Sequence, residues 1–181
     1  MTQRPGDWMQ TFTGRAFWPL DPRPEEVCLE DIAHSLSLRC RYGGHVKRFY
    51  SVAEHSVLVS RHVPPQHALW GLMHDAAEAY SADVPRPLKR FLPDWKPMEA
   101  RIMAAVCEHF GMEPGEPNVV KWVDLSITGD EREALMQPML DPGMDWGELP
   151  PPLGCEIEGF DPHVAKLLFL ERFAEIKAGG R

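Results

Sequence analysis

Cysteine is scarce in this sequence, and its spacing suggests no pairing. Cys28, Cys40, Cys107 and Cys155 are scattered and form no Cys-x-x-Cys motif, which argues against a zinc ribbon or a dithiol redox centre. No apolar run approaches the roughly 20 residues that a membrane-spanning helix needs, so no membrane partner is expected. The opening stretch, MTQRPGDWMQTFTGRAFWPLDPRPEE, lacks the continuous apolar core of a signal peptide. A cytoplasmic location in a reducing compartment is the expectation. Positive charge is also short, with 19 Lys and Arg against 27 Asp and Glu and a net charge of -8. Wrapping a nucleic-acid polymer needs a positive face, so no such partner is expected. The deficit still allows a small phosphorylated molecule held by a few local cations. Strand-like alternation and internal repeats are missing too.

What is present is an ordinary globular composition, 44% hydrophobic and 25% charged over 181 residues. That length suits one domain, 1–181, with a sizeable core. Pro5, Pro19, Pro22 and Pro24, with Gly6 and Gly14, make about 1–26 an irregular arm. Phe12, Phe17 and Trp18 would pack it down. Helices are expected over about 28–41, 52–63, 66–80, 97–110, 117–140 and 162–177, bounded by Gly43-Gly44, Pro64-Pro65, Pro85 and Pro87, and Gly111. The third is apolar on nearly every side and so central. The segment over about 141–162 is too rich in proline and glycine for a helix and reads as a long loop. The expected fold class is all-α, a compact helical bundle.

Polar residues on the inward stripes carry the functional signal. His74-Asp75 sits within ALWGLMHDAAEAYSADVP, an almost wholly apolar run. An unpaired carboxylate buried there would cost several kcal/mol, and a bound cation is one of the few partners that relieves it. His55 lies on the apolar stripe of the second helix and Asp124 on that of the fifth, with Asp130 close behind it. Two neutral imidazoles and two carboxylates match the charge of one divalent ion. The expected ligands are therefore His55, His74, Asp75 and Asp124. Mixed nitrogen and oxygen donors suit cobalt, manganese, zinc, iron or nickel better than calcium. Hydrogen-bonded core histidines and capping acids are the competing explanation. Glu78 lies one turn beyond His74, where both can face one cavity.

A second stretch, LRCRYGGHVKRFYSVAEHS, places Arg41 and Tyr42 before a double glycine and His45, Lys47 and Arg48 after it. Glycines let backbone approach an anion, and the cations can neutralise phosphate. A solvated basic turn is the alternative, above all for Lys47 and Arg48. Lys89 closes PRPLK and could reach outer phosphates. Arg86 and Arg90 read as surface charge.

The arrangement of AEHS at Ala53–Ser56, HDAAEAYSADVPRPLK at His74–Lys89 and VKWVD at Val120–Asp124 resembles the HD-domain metal-dependent phosphohydrolases. The positions of Glu78 and Asp83 after the His-Asp pair are similar to the 5'-deoxynucleotidase branch, which includes phage enzymes that strip triphosphate from dATP. The likeness spans about 12–136. It implies catalytic roles for Glu78, Asp83 and Arg41: Glu78 at the attacking water, Asp83 at the sugar 3'-hydroxyl, Arg41 at phosphate. It also implies that Tyr42 stacks on a base and that the chain is a homo-oligomer, dimer or higher. Trp95 and Trp146 are candidate interface aromatics. His45, Lys47, Asp83 and Lys89 join Arg41 and Tyr42 as expected substrate-binding residues.

The function so implied is hydrolysis of 2'-deoxynucleoside 5'-phosphates. The substrate would be either a monophosphate releasing phosphate or a triphosphate, such as dATP, releasing triphosphate. An HD phosphodiesterase, an alarmone hydrolase and a non-catalytic nucleotide-binding regulator are the alternatives.

Overall fold

A computed structural model describes residues 4–179. Among these residues the fold is all-α: seven α-helices surround one main apolar core, and one two-residue hairpin is the sole sheet. The helices are α1 (Leu29–Leu38), α2 (Val52–His62), α3 (Ala68–Met73), α4 (Arg86–Lys89), α5 (Trp95–Phe110), α6 (Asn118–Leu135) and α7 (Pro162–Lys177). None of them is long and apolar enough to cross a membrane.

Local chemistry explains most boundaries. Ser51 caps α2, its hydroxyl accepting the N–H of Glu54 at 3.0 Å. Pro64 follows the end of that helix and cannot continue it. Gly111 ends α5 in the left-handed conformation, φ 67°, and Met112 N–H closes on Cys107 O at 2.8 Å. Asp161 caps α7 by accepting from the N–H groups of His163 and Val164, with Pro162 at the first helical position.

Four elements differ from the sequence expectation. α1 stops at Leu38, because Arg39 and Cys40 turn extended to pair with the chain before α2. Val52 N–H donates to Arg39 O at 3.0 Å and Arg41 N–H to Tyr50 O at 2.9 Å. The third helix breaks: α3 ends at Met73, and after His74 and Asp75 the chain tightens into a 3₁₀ segment, Ala76–Tyr80. α6 ends at Leu135, not near 140, since Met136 is extended ahead of Pro138. A short α4 occupies the turn marked by Pro85 and Pro87.

The arm carries a hairpin, β1 (Met9–Gln10) against β2 (Ala16–Phe17), in antiparallel register. Its tip is tied down by buried Asp31, which accepts from Thr13 N–H and hydroxyl at 2.7 and 2.9 Å. Phe17 is fully buried and stacks on Tyr80, ring centroids 4.0 Å apart. Phe12, by contrast, is 53% exposed.

Inside, Ile32 and Leu36 of α1, Val52 and Val57 of α2, Leu72 and Met73 of α3, Ile102 of α5, Val120 and Ile127 of α6 and Phe169 of α7 form the core. α2 is central, packing on α1, α3, α6 and α7. The chain over 141–161 contains no regular element, yet its second half is anchored. Buried Glu54 accepts the N–H groups of Glu158, Gly159 and Phe160 at 3.1, 3.0 and 2.8 Å. Asp130 accepts those of Leu153 and Gly154 at 3.0 and 2.9 Å.

One close approach sets the distance between the helices that bear the two histidines. A Cβ at Gly71 of α3 would lie 2.9 Å from Ser60 Cα and 3.1 Å from Val63 Cγ2. Gly71→Ala is expected to force α3 away from α2 and to lower stability by about 1–3 kcal/mol, the usual cost of overpacking. Urea denaturation measures it, and an unchanged midpoint would show that the two backbones separate freely.

Candidate metal centre

The candidate site lies where α2, the chain after α3, and α6 meet. His55 projects from the inward stripe of α2 and is fully buried. His74 follows the last residue of α3, with only 4% of its side chain exposed. Asp124 comes from the second turn of α6, its side chain 30% exposed. One ligand atom from each of these three lies within 4.8 Å of the others.

Hydrogen bonding fixes which ring nitrogens face inward. His55 Nδ1 is 2.7 Å from Glu131 Oε1, and His74 Nδ1 is 2.8 Å from Gly71 O. Both partners only accept, so each Nδ1 carries a hydrogen. In the neutral rings the two Nε2 atoms therefore present lone pairs, and they stand 3.2 Å apart. Asp124 Oδ1 adds a third acceptor 3.1 Å from His55 Nε2, and Asp75 Oδ2 a fourth 3.3 Å from His74 Nε2. Such a cluster demands positive charge. A proton can meet the demand on one ring. A divalent ion meets it on both, and the donor set fits one.

The electrostatics follow the same demand. His74 is raised to about 10, because burial, which opposes the charge, is outweighed by Asp75 and Asp124. Burial pushes the Asp75 carboxyl upward, but His74, His55 and Arg41 hold it far below the ordinary range. Asp124 is likewise held low against burial, through its bond to His55. Glu78 is pushed up to about 9, first by burial and then by the charges of Asp75 and Asp83.

The structure brings most of the expected residues to this point and separates others from it. Asp75 sits at the edge of the trio, between His74 and Arg41, whose Nη1 is 3.6 Å away. Glu78 is buried and lines an adjoining cavity of about 470 Å³ with Trp70, His74, Asp75 and Lys89. Lys89 Nζ is 2.9 Å from Glu99 Oε1 and 3.8 Å from Glu78 Oε1. Asp83 is partly buried, its carboxyl raised by burial and by Asp75 against the pull of Arg41 and Lys89.

His45 and Lys47 are exposed and are not among the residues that line this cavity. Arg48 reaches away, donating to the carbonyls of Ile157 and Glu158 in the loop. Tyr42 does not present a free ring. Its hydroxyl donates to Glu131, and its ring meets Trp146 edge-on at 5.6 Å.

The chain has recognisable relatives. YfdR of Escherichia coli strain K12, described as an uncharacterised protein, is 41% identical over 172 residues, 93% of this chain and 95% of YfdR. The chain belongs to the YfdR family. An uncharacterised protein of Rhodobacter capsulatus is 35% identical to it over 124 residues, 63% of each chain. No family model matches.

In this YfdR-family chain, Glu131 is the site residue that sequence reasoning missed. It is completely buried and bonded to His55, Arg41 and Tyr42. Its signal was the seven-residue spacing from Asp124, two helical turns along the same face of α6. Asp130, Asp124's neighbour in sequence, faces the loop instead.

His74→Ala and Asp124→Ala are each expected to abolish cobalt or manganese binding while the helical circular dichroism persists. Elemental analysis showing full metal occupancy in either variant would overturn the ligand assignment.

Proposed function

We propose that this chain is an HD-type, metal-dependent phosphohydrolase acting on 2'-deoxynucleoside 5'-phosphates. The observation that carries the reading is the pair of imidazole Nε2 atoms converging with Asp124 beside a cavity lined by Glu78 and Lys89. The cavity's size, about 470 Å³, suits a small-molecule ligand.

A divalent ion held at this point would polarise a phosphoryl oxygen and make water a better nucleophile. The remaining work belongs to side chains. Arg41 is fixed by Glu131 on one nitrogen, while its other terminal nitrogen, beside Asp75, is placed to meet charge developing on the phosphoryl group. Glu78 lines the cavity and would orient the attacking water, taking its proton once the carboxyl is ionised, a form that a divalent ion beside Asp75 would favour. Lys89, balanced between Glu78 and Glu99, is placed to follow the phosphate chain.

Asp83 accepts the sugar 3'-hydroxyl in this reading. The 2' carbon would then face packed wall, which leaves a ribonucleotide oxygen without space or partner. Monophosphate and triphosphate substrates both fit the proposal, with adenine the first base to try by resemblance to the phage dATP enzymes.

The deciding experiment is phosphate and polyphosphate release from a panel of deoxy- and ribonucleotides with manganese or cobalt. Deoxynucleotides should be preferred. Glu78→Ala should keep metal but lose turnover by about a hundredfold or more, the scale of general acid–base catalysis. Asp83→Ala should lower activity and sugar discrimination together. No release from any nucleotide would sink the proposal, and equal rates on both sugars would sink its sugar-selection part.

The reading extends to a homo-oligomer of two or more copies. Leu88, Phe91 and Leu92 around the end of α4 are exposed by 55%, 70% and 43% and offer apolar surface for it. Trp146, an expected interface aromatic, already packs on Tyr42 within the chain. Light scattering that returns the monomer mass at micromolar concentrations would remove this part.

A further inference from the structure

Two buried glutamates flank His55, and they do different jobs. Glu54, its neighbour on α2, spends both carboxylate oxygens on backbone N–H groups of residues 158–160. Glu131, from α6, faces the other way. Its Oε2 receives Arg41 Nη2 at 3.1 Å and the Tyr42 hydroxyl. Oε1 accepts from His55 Nδ1 at 2.7 Å, and the buried Tyr50 hydroxyl also stands beside this carboxylate.

We infer that Glu131 is the positioning residue of the metal centre, holding His55 in the tautomer and ring orientation that turn Nε2 toward His74 and Asp124. The inference rests on the metal reading of those three residues. An imidazole alone has no fixed tautomer: either nitrogen can carry the hydrogen. A carboxylate accepts and never donates when ionised, so Oε1 at 2.7 Å selects the ring with hydrogen on Nδ1. Arg41 and Tyr42 pin the opposite oxygen, so the carboxylate cannot swing away from His55. Complete burial removes water as an alternative partner. His74 gets the same service from a backbone carbonyl, Gly71 O, and so needs no acid. Partners of this kind raise the basicity of the coordinating nitrogen and are worth about 10–100-fold in metal affinity.

Nitrogen-15 NMR of the zinc-loaded protein tests the placement without any substitution. The expected His55 pattern is hydrogen on Nδ1 and zinc on Nε2. Zinc titration calorimetry on the full chain supplies the second measurement. Glu131→Gln should weaken zinc binding by about 10–100-fold, while Glu54→Gln should lower the melting temperature and leave zinc affinity unchanged. Zinc found on His55 Nδ1, equal zinc affinity in wild type and Glu131→Gln, or an equal loss in both variants would overturn the positioning role while the metal centre stood. A wild-type protein that binds no zinc, cobalt or manganese would instead remove the metal reading and the inference with it. Should Glu131→Gln fail to fold, the wild-type NMR pattern still decides.

Discussion

Acceptors facing acceptors are the constraint on which the centre of this protein depends. His55 Nε2 and His74 Nε2 stand 3.2 Å apart, with a carboxylate oxygen close to each. Like groups at that distance repel unless positive charge lies between them. The rest of the neighbourhood is shaped by that deficit. Asp75, Glu78, Asp83, Asp124 and Glu131 crowd a region that Arg41, Lys89 and Arg39 share as cations, and Arg41 is already committed to Glu131. Glu78 and His74 both hold protons well above their ordinary pH ranges. Positive charge at this point, carried by protons or by a metal ion that His55, His74 and Asp124 could hold, relieves several repulsions together.

Precision at this point is delivered by backbones rather than by the ligands themselves. Gly71 lets α3 lie against Ser60 of α2, and its carbonyl also orients His74. A single small residue therefore sets both the approach of the two helices and the direction of one ring. On the far side, α6 presents Asp124 and Glu131 two turns apart, one at His55 Nε2 and one behind the ring at Nδ1. The backbone turn at Tyr42, with φ 57° in the left-handed region, brings Arg41 and the Tyr42 hydroxyl onto the same carboxylate. Left-handed backbone is costly for a side chain of this size, and the two bonds to Glu131 hold it there.

The Pro/Gly-rich segment is less loose than its composition implies. Three points fasten its second half: Glu54, Asp130 and Arg48. Gly159 is needed at one of them, since with φ 76° a Cβ there would meet Phe49 O at 2.7 Å. Farther up the segment Trp146 leans on Tyr42. The segment is thus continuous, through one aromatic contact, with the shell around Glu131.

Sequence alone determined the class of the fold and the course of several helices. The three- and four-residue apolar spacing that placed a helix over 52–63 is a local property, and the observed α2 follows it; α7 also spans the expected 162–177. Such spacing also put His55 and Asp124 on inward faces, because a helical stripe says which side is dry. It could not say what stands opposite that side. α1 ended early because strand-like pairing with residues 50–52 competed for its last turn, a contact made only after the chain had folded back. The third helix broke at His74 and Asp75, where a continuous apolar pattern gave no warning. Arg48 was legible as a cation but not as a partner for loop carbonyls more than a hundred residues away. The apolar pattern of the chain did not single out Glu131. Only the packing of α6 against α2 made it a buried carboxylate, because burial and hydrogen-bond partners are properties of two surfaces meeting, and periodicity describes one surface at a time.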